Sequence, residues 1–322
     1  MKAFGLQTHI WSNNFKSVLL LLGFPLLLAI LIFALFLLAV GLTGQSGTIA
    51  GAIPEALDML SRAWPIALLI AGGWFVIAGL FHQKMIEGAT GSKGLTRKEN
   101  PELYNMLENL CIERGLTMPR LNVIESPMLN AFASGINDKT YTITLTRGII
   151  DRLNKRELRA VMAHELTHII NRDVRLLIIA VIFVGIFSFV GELVFRNLFR
   201  TGIRTAGYVR GRKGDSRGGG AIILVALALI ALTYLLSLVV RFAISRRREF
   251  LADAGAVDLT RDPDAMIGAL QKISGRSQLE APDDVAQMFI DNGQPFLGMF
   301  MTHPPIEKRI QALVDYAGGI AR

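Results

Sequence analysis

The sequence predicts an α+β chain of mostly helical character, in which a soluble domain is combined with about four transmembrane helices. Hydrophobic residues fill 52 % of the 322 positions and the mean hydropathy is +0.43, above what soluble globular proteins carry. The excess gathers in four apolar runs, at 18–40, 64–81, 176–195 and 221–242, the pattern of membrane spans and not of a greasy core.

The first run contains Pro25 but no charge and is long enough to cross a hydrocarbon core of about 30 Å. It exceeds the apolar stretch of a signal peptide, so it is expected to stay attached. The second carries Trp64 and Trp74 and is followed by Lys84, Lys93, Arg97 and Lys98, whereas the loop before it holds Glu55, Asp58 and a single basic residue, Arg62. By the positive-inside rule the N-terminus and the chain after Lys84 face the cytoplasm. The third and fourth runs enclose a glycine-rich loop with Arg196, Arg200, Arg204, Arg210, Arg212, Lys213 and Arg217. Two full spans place these charges outside, against the rule; a hairpin dipping into the membrane keeps them inside. Two spans are the expectation. The division expected is therefore 1–83, an N-terminal membrane region with two transmembrane helices; 84–174, the first part of a cytoplasmic domain; 175–243, a transmembrane hairpin with the basic loop; and 244–322, the second part of that domain.

Composition narrows the function classes. The net charge is +8, yet no basic aromatic motif or groove-reading element accompanies it, so anionic lipid headgroups explain the Lys and Arg clusters better than nucleic acid does. A single cysteine, Cys111, excludes an intramolecular disulfide framework and a thiolate-cluster metal site.

In the soluble part, Leu103, Met106, Leu107, Leu110 and Cys111 recur at helical spacing over 101–114, with Gly115 at the C-cap position. Residues 120–124 and 141–146 are rich in β-branched side chains and predict a small sheet. Asn154, with Glu157 three residues on, is a capping-box signature for a helix running to about Asn171.

That helix contains His164, Glu165, Leu166, Thr167 and His168, the pattern H-E-x-x-H. Residues four apart lie on one helical face, so both imidazoles reach one ion. Zinc requires a further protein ligand and keeps a position for water, whose pKa it lowers to about 7; Glu165 beside the pair can take that proton. The bland alternative is a chance match between two ordinary helix histidines. For the third ligand, Glu249 and Asp253 stand one turn apart in a segment reading S-R-R-R-E-F-L-A-D. Glu249 completes a His, His, Glu set and Asp253 hydrogen-bonds the outer nitrogen of a ligand histidine, or the two form a solvated face next to basic membrane-flanking residues. Only eight steps separate His168 from Leu176, and Arg241 from Glu249, about 12 Å of helix each, so the metal is expected close to the bilayer.

Four blocks now align in order: Asn130-Ala131-Phe132-Ala133-Ser134-Gly135; the H-E-L-T-H helix ending in Asn171-Arg172-Asp173; S-R-R-R-E-F-L-A-D; and Thr302-His303-Pro304-Pro305 with Glu307 and Arg309. In these the chain resembles the integral membrane zinc metallopeptidases of the HtpX type, relatives of the CAAX-prenyl proteases, over about 101–310 plus the leading spans. The resemblance implies a zincin-like metallopeptidase domain with one zinc ion per chain held by His164, His168 and Glu249, and Asp253 bonded to a ligand histidine. It implies an endopeptidase of membrane protein quality control, multi-pass in a bacterial-type inner membrane with its site facing the cytoplasm, whose partners are unfolded or damaged membrane proteins and the lipid bilayer.

It further suggests that Asn130, Ala131, Phe132 and Ala133 form the edge along which an extended substrate pairs its backbone; an ordinary turn with a buried Phe132 is the alternative. His303 or Arg309 is a candidate stabiliser of the tetrahedral oxyanion, against a structural loop with Arg309 on a carboxylate. Two competing functions are a sequence-selective maturation protease, which four spans disfavour against a larger chambered architecture, and a non-catalytic scaffold, which would have no use for Glu165. Oligomeric state is not encoded in any of these patterns.

Overall fold

A computed structural model of the chain describes residues 6–43, 46–182, 185–187, 189–193, 196, 219–242, 247–274 and 304–320. It divides into two compact units. One comprises Met1–Lys16, Gly79–Ile178 and Ile244–Arg322; the other comprises Ser17–Ala78 and Ile179–Ala243.

The second unit is built from the apolar parts of four long helices. α1 (Leu6–Thr43) and α2 (Ile49–Thr90) carry the first two apolar runs, and α6 (Asp173–Leu193) and α7 (Gly219–Phe242) the other two. Four helices among the described residues are long and apolar enough to cross a membrane. They bury an internal cluster in which Phe24 meets the edges of Phe75 and Phe187. Meanwhile Leu22, Leu69 and Leu224 stay about 70 % or more exposed, the outward apolar surface that lipid would cover.

One expectation is corrected. The loop expected before residue 64 is helical: α2 runs unbroken for 42 residues through Pro54 and Pro65, with Asp58 and Arg62 as an i,i+4 ion pair on it. At 1.5 Å per residue it reaches about 60 Å, roughly twice a hydrocarbon core, so hydropathy marks only its apolar middle. Residues 200–217 of the basic loop lie outside the described residues.

The first unit holds a four-stranded sheet in the order β1-β2-β4-β3, from β1 (Lys93–Gly94), β2 (Arg120–Ile124), β3 (Ala131–Ser134) and β4 (Thr142–Thr146). β2 and β4 are parallel, and β3 runs antiparallel to β4 at one edge. The register puts Leu121, Val123, Ile143, Leu145, Ala131 and Ala133 on one face, all buried. The other face sets Asn122, Ser134 and threonines beside Phe132 and Ile124 and meets the end of α2: Ser134 Oγ donates to Gln83 Oε1 at 2.9 Å and Asn122 Nδ2 to Glu87 Oε1 at 3.2 Å.

Helix starts follow from local chemistry. In α3 (Pro101–Glu113) Asn100 Oδ1 accepts from the Leu103 amide, Pro101 opens the first turn and Gly115 takes φ +64°, as capping preferences dictate. A short α4 (Arg147–Arg152) leads to α5 (Lys155–Ile170). Its capping box is complete: the Glu157 amide donates to Asn154 Oδ1 at 3.0 Å and the Asn154 amide to Glu157 Oε2 at 2.9 Å. α5 is the hub, packed on β3, β4 and α3 and on α8 (Arg247–Thr260) and α9 (Pro263–Ile273); α10 (Ile306–Ile320) packs on α8 and α9. From Leu158 to Ile169 it is almost wholly buried, which is how a single helix can hold polar chemistry away from bulk water.

Candidate metal centre

His164 and His168 lie on the buried face of α5 with their Nε2 atoms 3.2 Å apart and their rings nearly perpendicular. Glu249, in the first turn of α8, brings Oε2 to 3.7 Å from His164 Nε2 and Oε1 to 3.7 Å from His168 Nε2. One ligand atom from each of the three lies within 4.8 Å of the others, the group among the described residues able to share an ion.

Three observations fit a divalent cation there. Tetrahedral zinc with bonds near 2.0–2.1 Å sets its ligands about 3.4 Å apart; the two Nε2 atoms are 3.2 Å apart, and each lies 3.7 Å from a different oxygen of Glu249. Each ring also has a carboxylate near its outer nitrogen: His168 Nδ1 hydrogen-bonds Asp173 Oδ2 at 3.0 Å, and His164 Nδ1 stands 2.9 Å from Asp253 Oδ1, an ion-pair distance without hydrogen-bond alignment. With both rings neutral and protonated at Nδ1, the two Nε2 lone pairs would be available to a shared cation. Finally, the carboxylates of Glu165, Asp173, Glu249 and Asp253 and the guanidiniums of Arg248 and Arg309 are all buried. A divalent ion bound among these groups would add positive charge beside the carboxylates, and buried charge is expensive unless it is compensated.

Arg309, on α10, is fully buried and grips Asp253 with both arms, Nε to Oδ2 at 2.8 Å and Nη2 to Oδ1 at 2.7 Å. Nη2 also lies 3.4 Å from His164 Nε2 and Nη1 3.7 Å from Glu249 Oε2. Arg248 brings Nε to 3.3 Å from Glu249 Oε1. Burial alone would push the Asp253 carboxyl up, but Arg309 and His164 beside it hold it at about 2. Burial likewise disfavours a charged His164 ring, yet Asp253 and Glu249 raise it to about 9 in the metal-free protein. Burial raises the Cys111 thiol to about 11, leaving it no nucleophilic role.

The raised His164 value has a pH consequence. Its folded-state pKa stands above the ordinary 6.5, so the proton's contribution to stability is full below pH 6.5 and lost as pH rises through about 9. Thermal melts of chelator-treated protein are expected to decline across that window. Added zinc should remove the decline, because metal binding needs the neutral ring.

Gly255 fixes how closely α8 approaches α5. A Cβ there would overlap Thr167 Cγ2 and stand 2.9 Å from Thr167 Oγ1, whose hydroxyl donates to the Ala163 carbonyl at 2.8 Å. Gly255→Ala is expected to destabilise by about 1–3 kcal/mol through overpacking, and Thr167→Ala in the same chain to recover much of it. Urea titrations of both variants check this.

The Asn130 block forms the edge strand β3 and the residue leading into it. The Asn130 amide donates to Thr146 Oγ1 at 3.0 Å, and Asn130 Oδ1 accepts from the Ala131 amide at 2.9 Å. Gly135 ends the strand at φ +114° against the Thr140 and Tyr141 backbone, where a side chain has no room. Asn130, Ala131, Phe132 and Ala133 are all buried. His303 lies outside the described residues. The residue the sequence patterns pass over is Asp173: it belongs to the Asn171-Arg172-Asp173 block, but five positions after His168 it is off the helical face that spacing arguments use.

A helix-borne pair of histidines, a carboxylate from a second helix and a neighbouring glutamate, set in a mostly helical α+β fold with four apolar helices, define a metalloprotease of the multi-pass membrane type. The chain belongs to peptidase family M48, whose profile matches residues 97–317. It is 42 % identical over 334 residues to a protein named Protease HtpX homolog from Bacteroides fragilis (strain YCH46), covering 98 % of this chain and all of the relative. A Protease HtpX homolog from Listeria monocytogenes serotype 4a (strain HCC23) is 33 % identical over 316 residues, covering 95 % and 98 %. The crystal structure of S. mikatae Ste24p aligns at a TM-score of 0.42 and 18 % identity over 83 % of this chain and 66 % of that one; at that distance no residue role transfers.

Proposed function

We propose that the chain is a zinc endopeptidase that cleaves extended segments of misfolded or damaged membrane proteins, with its site at the cytoplasmic face. The convergence of His164, His168 and Glu249 on one point inside a buried shell of carboxylates and guanidiniums is the observation that carries this reading. A zinc ion held there supplies Lewis acidity and lowers the pKa of water to about 7.

The chain's own residues do the rest. His168 would present its Nε2 lone pair because its Nδ1 hydrogen-bonds Asp173, and Asp253 stands 2.9 Å from His164 Nδ1, where it attracts that ring's proton. Glu165, buried next to His164, takes the proton from the attacking water and passes it to the departing amine. Arg309, held on Asp253, is a positioning residue that keeps the carboxylate charged and His164 in place. The β3 edge aligns the substrate backbone without reading its side chains; since β3 is covered here, binding requires that cover to shift. The cytoplasmic orientation is supported by the exposed Lys84, Lys93, Arg97 and Lys98 at and beyond the end of the second apolar run.

Detergent-purified protein is expected to hydrolyse casein and several unrelated unfolded membrane proteins, to stop after chelation and to recover with zinc. Cleavage of one lipidated peptide and none of the others would replace quality control with a maturation role. Undiminished cleavage after complete metal removal would overturn the metal mechanism.

A further inference from the structure

We infer that Asp173 is a positioning residue of the metal centre, whose carboxylate fixes the orientation and basicity of His168. The inference rests on His168 being a metal ligand, as proposed above.

The contact is short and dry: Asp173 Oδ2 lies 3.0 Å from His168 Nδ1, with Asp173 3 % and His168 9 % exposed. Helical geometry alone would not produce it. Five residues of uninterrupted helix turn by about 500°, leaving Asp173 roughly 140° around the axis from His168. The chain breaks the helix between them. α5 ends at Ile170, Asn171 keeps right-handed angles, and Arg172 takes φ +59°, a left-handed conformation that a side chain disfavours. The Arg172 amide still donates to the Ile169 carbonyl at 3.0 Å, while the Arg172 carbonyl accepts from Leu176 at 3.2 Å. One strained residue therefore closes α5 and opens α6, and the turn it makes swings Asp173 back under the His168 ring.

The other imidazole also has a carboxylate near its outer nitrogen, but only the His168 contact is aligned as a hydrogen bond. His164 Nδ1 faces Asp253 from α8 at 2.9 Å, and His168 Nδ1 faces Asp173 from the start of α6 at 3.0 Å. A carboxylate on Nδ1 fixes the proton there, leaves Nε2 for an ion and makes the ring a better donor. Asp173 also opens a helix long and apolar enough to cross a membrane, so the orientation of one ligand is tied to the first turn of that helix. A competing role is purely structural: an acid in a first turn favours the helix dipole and would leave metal binding untouched.

The test uses the full chain in detergent, with zinc affinity measured against a competing chelator and the visible spectrum of the cobalt-substituted protein. Asp173→Ala is expected to weaken zinc binding about 10- to 100-fold and to shift the cobalt bands. Asp173→Asn keeps an acceptor and a good helix start but loses the charge, so it should fall between wild type and Asp173→Ala. Wild-type zinc affinity and cobalt bands in both variants, even with lowered melting temperatures, would overturn the inference; if the alanine variant does not fold, the asparagine variant decides by the same criteria. His168→Ala separates the two levels. Should it bind zinc like wild type, the metal-centre reading itself fails; should it lose zinc while the Asp173 variants keep it, only the role of Asp173 fails.

Discussion

Glu165→Gln is expected to reduce peptide hydrolysis by at least 10²–10⁴-fold while leaving zinc content unchanged. The carboxamide matches the carboxylate in shape but cannot take a proton at neutral pH, so the variant removes one chemical capacity and little else. His164, His168 and Glu249, which converge on the proposed ion, are untouched. Buried at 2 % exposure, Glu165 has little access to bulk water that could substitute for it. Casein digestion with metal analysis of the same sample checks both halves. Cleavage at the wild-type rate would exclude Glu165 as the base, and loss of zinc would make it a structural support of the site.

Arg309→Met should produce the largest loss of stability. The guanidinium is fully buried and bidentate on Asp253, so its removal strands that carboxylate beside Glu249 with one fewer positive charge. Breaking one side of a buried pair destabilises by about 3–5 kcal/mol, a large part of the 5–15 kcal/mol that holds a typical domain folded. By contrast Lys155–Glu102, whose side chains are 79 % and 57 % exposed, belongs to a class worth about 0–1 kcal/mol. Arg309→Lys keeps the charge but loses the two-armed fork, and its stability should fall between the two. Urea unfolding measures these differences. A methionine variant with wild-type stability and zinc affinity but greatly reduced turnover would instead favour the oxyanion role that the sequence left open for Arg309.

The two histidines and Glu165 are legible in the sequence because H-E-x-x-H is a statement about one helix, and helical spacing is local information. Glu249 and Asp253 are legible as a pair one turn apart, but only folding brings them to α5, through an approach that Gly255 permits. Asp173 was not legible in that way: its contact depends on a left-handed turn at Arg172, and an arginine there gives none of the signal a glycine would. The full length of α2 was hidden for a related reason, since hydropathy reports the part that meets lipid and is silent about helix beyond it. The two-residue strand β1 exists only through its pairing with Val123 and Asn122 of β2, which no local pattern announces. His164, buried and facing two carboxylates, shows the same division: its position follows from sequence, its raised pKa only from packing.

The most direct measurement is zinc stoichiometry and affinity in Glu249→Ala beside wild type, with His164→Ala as reference. One tightly held zinc per wild-type chain is expected, with a comparable collapse of binding in both variants, each still folded as judged by circular dichroism. One zinc per chain at wild-type affinity in Glu249→Ala would contradict that expectation, because the carboxylate from α8 would then have no part in holding the ion.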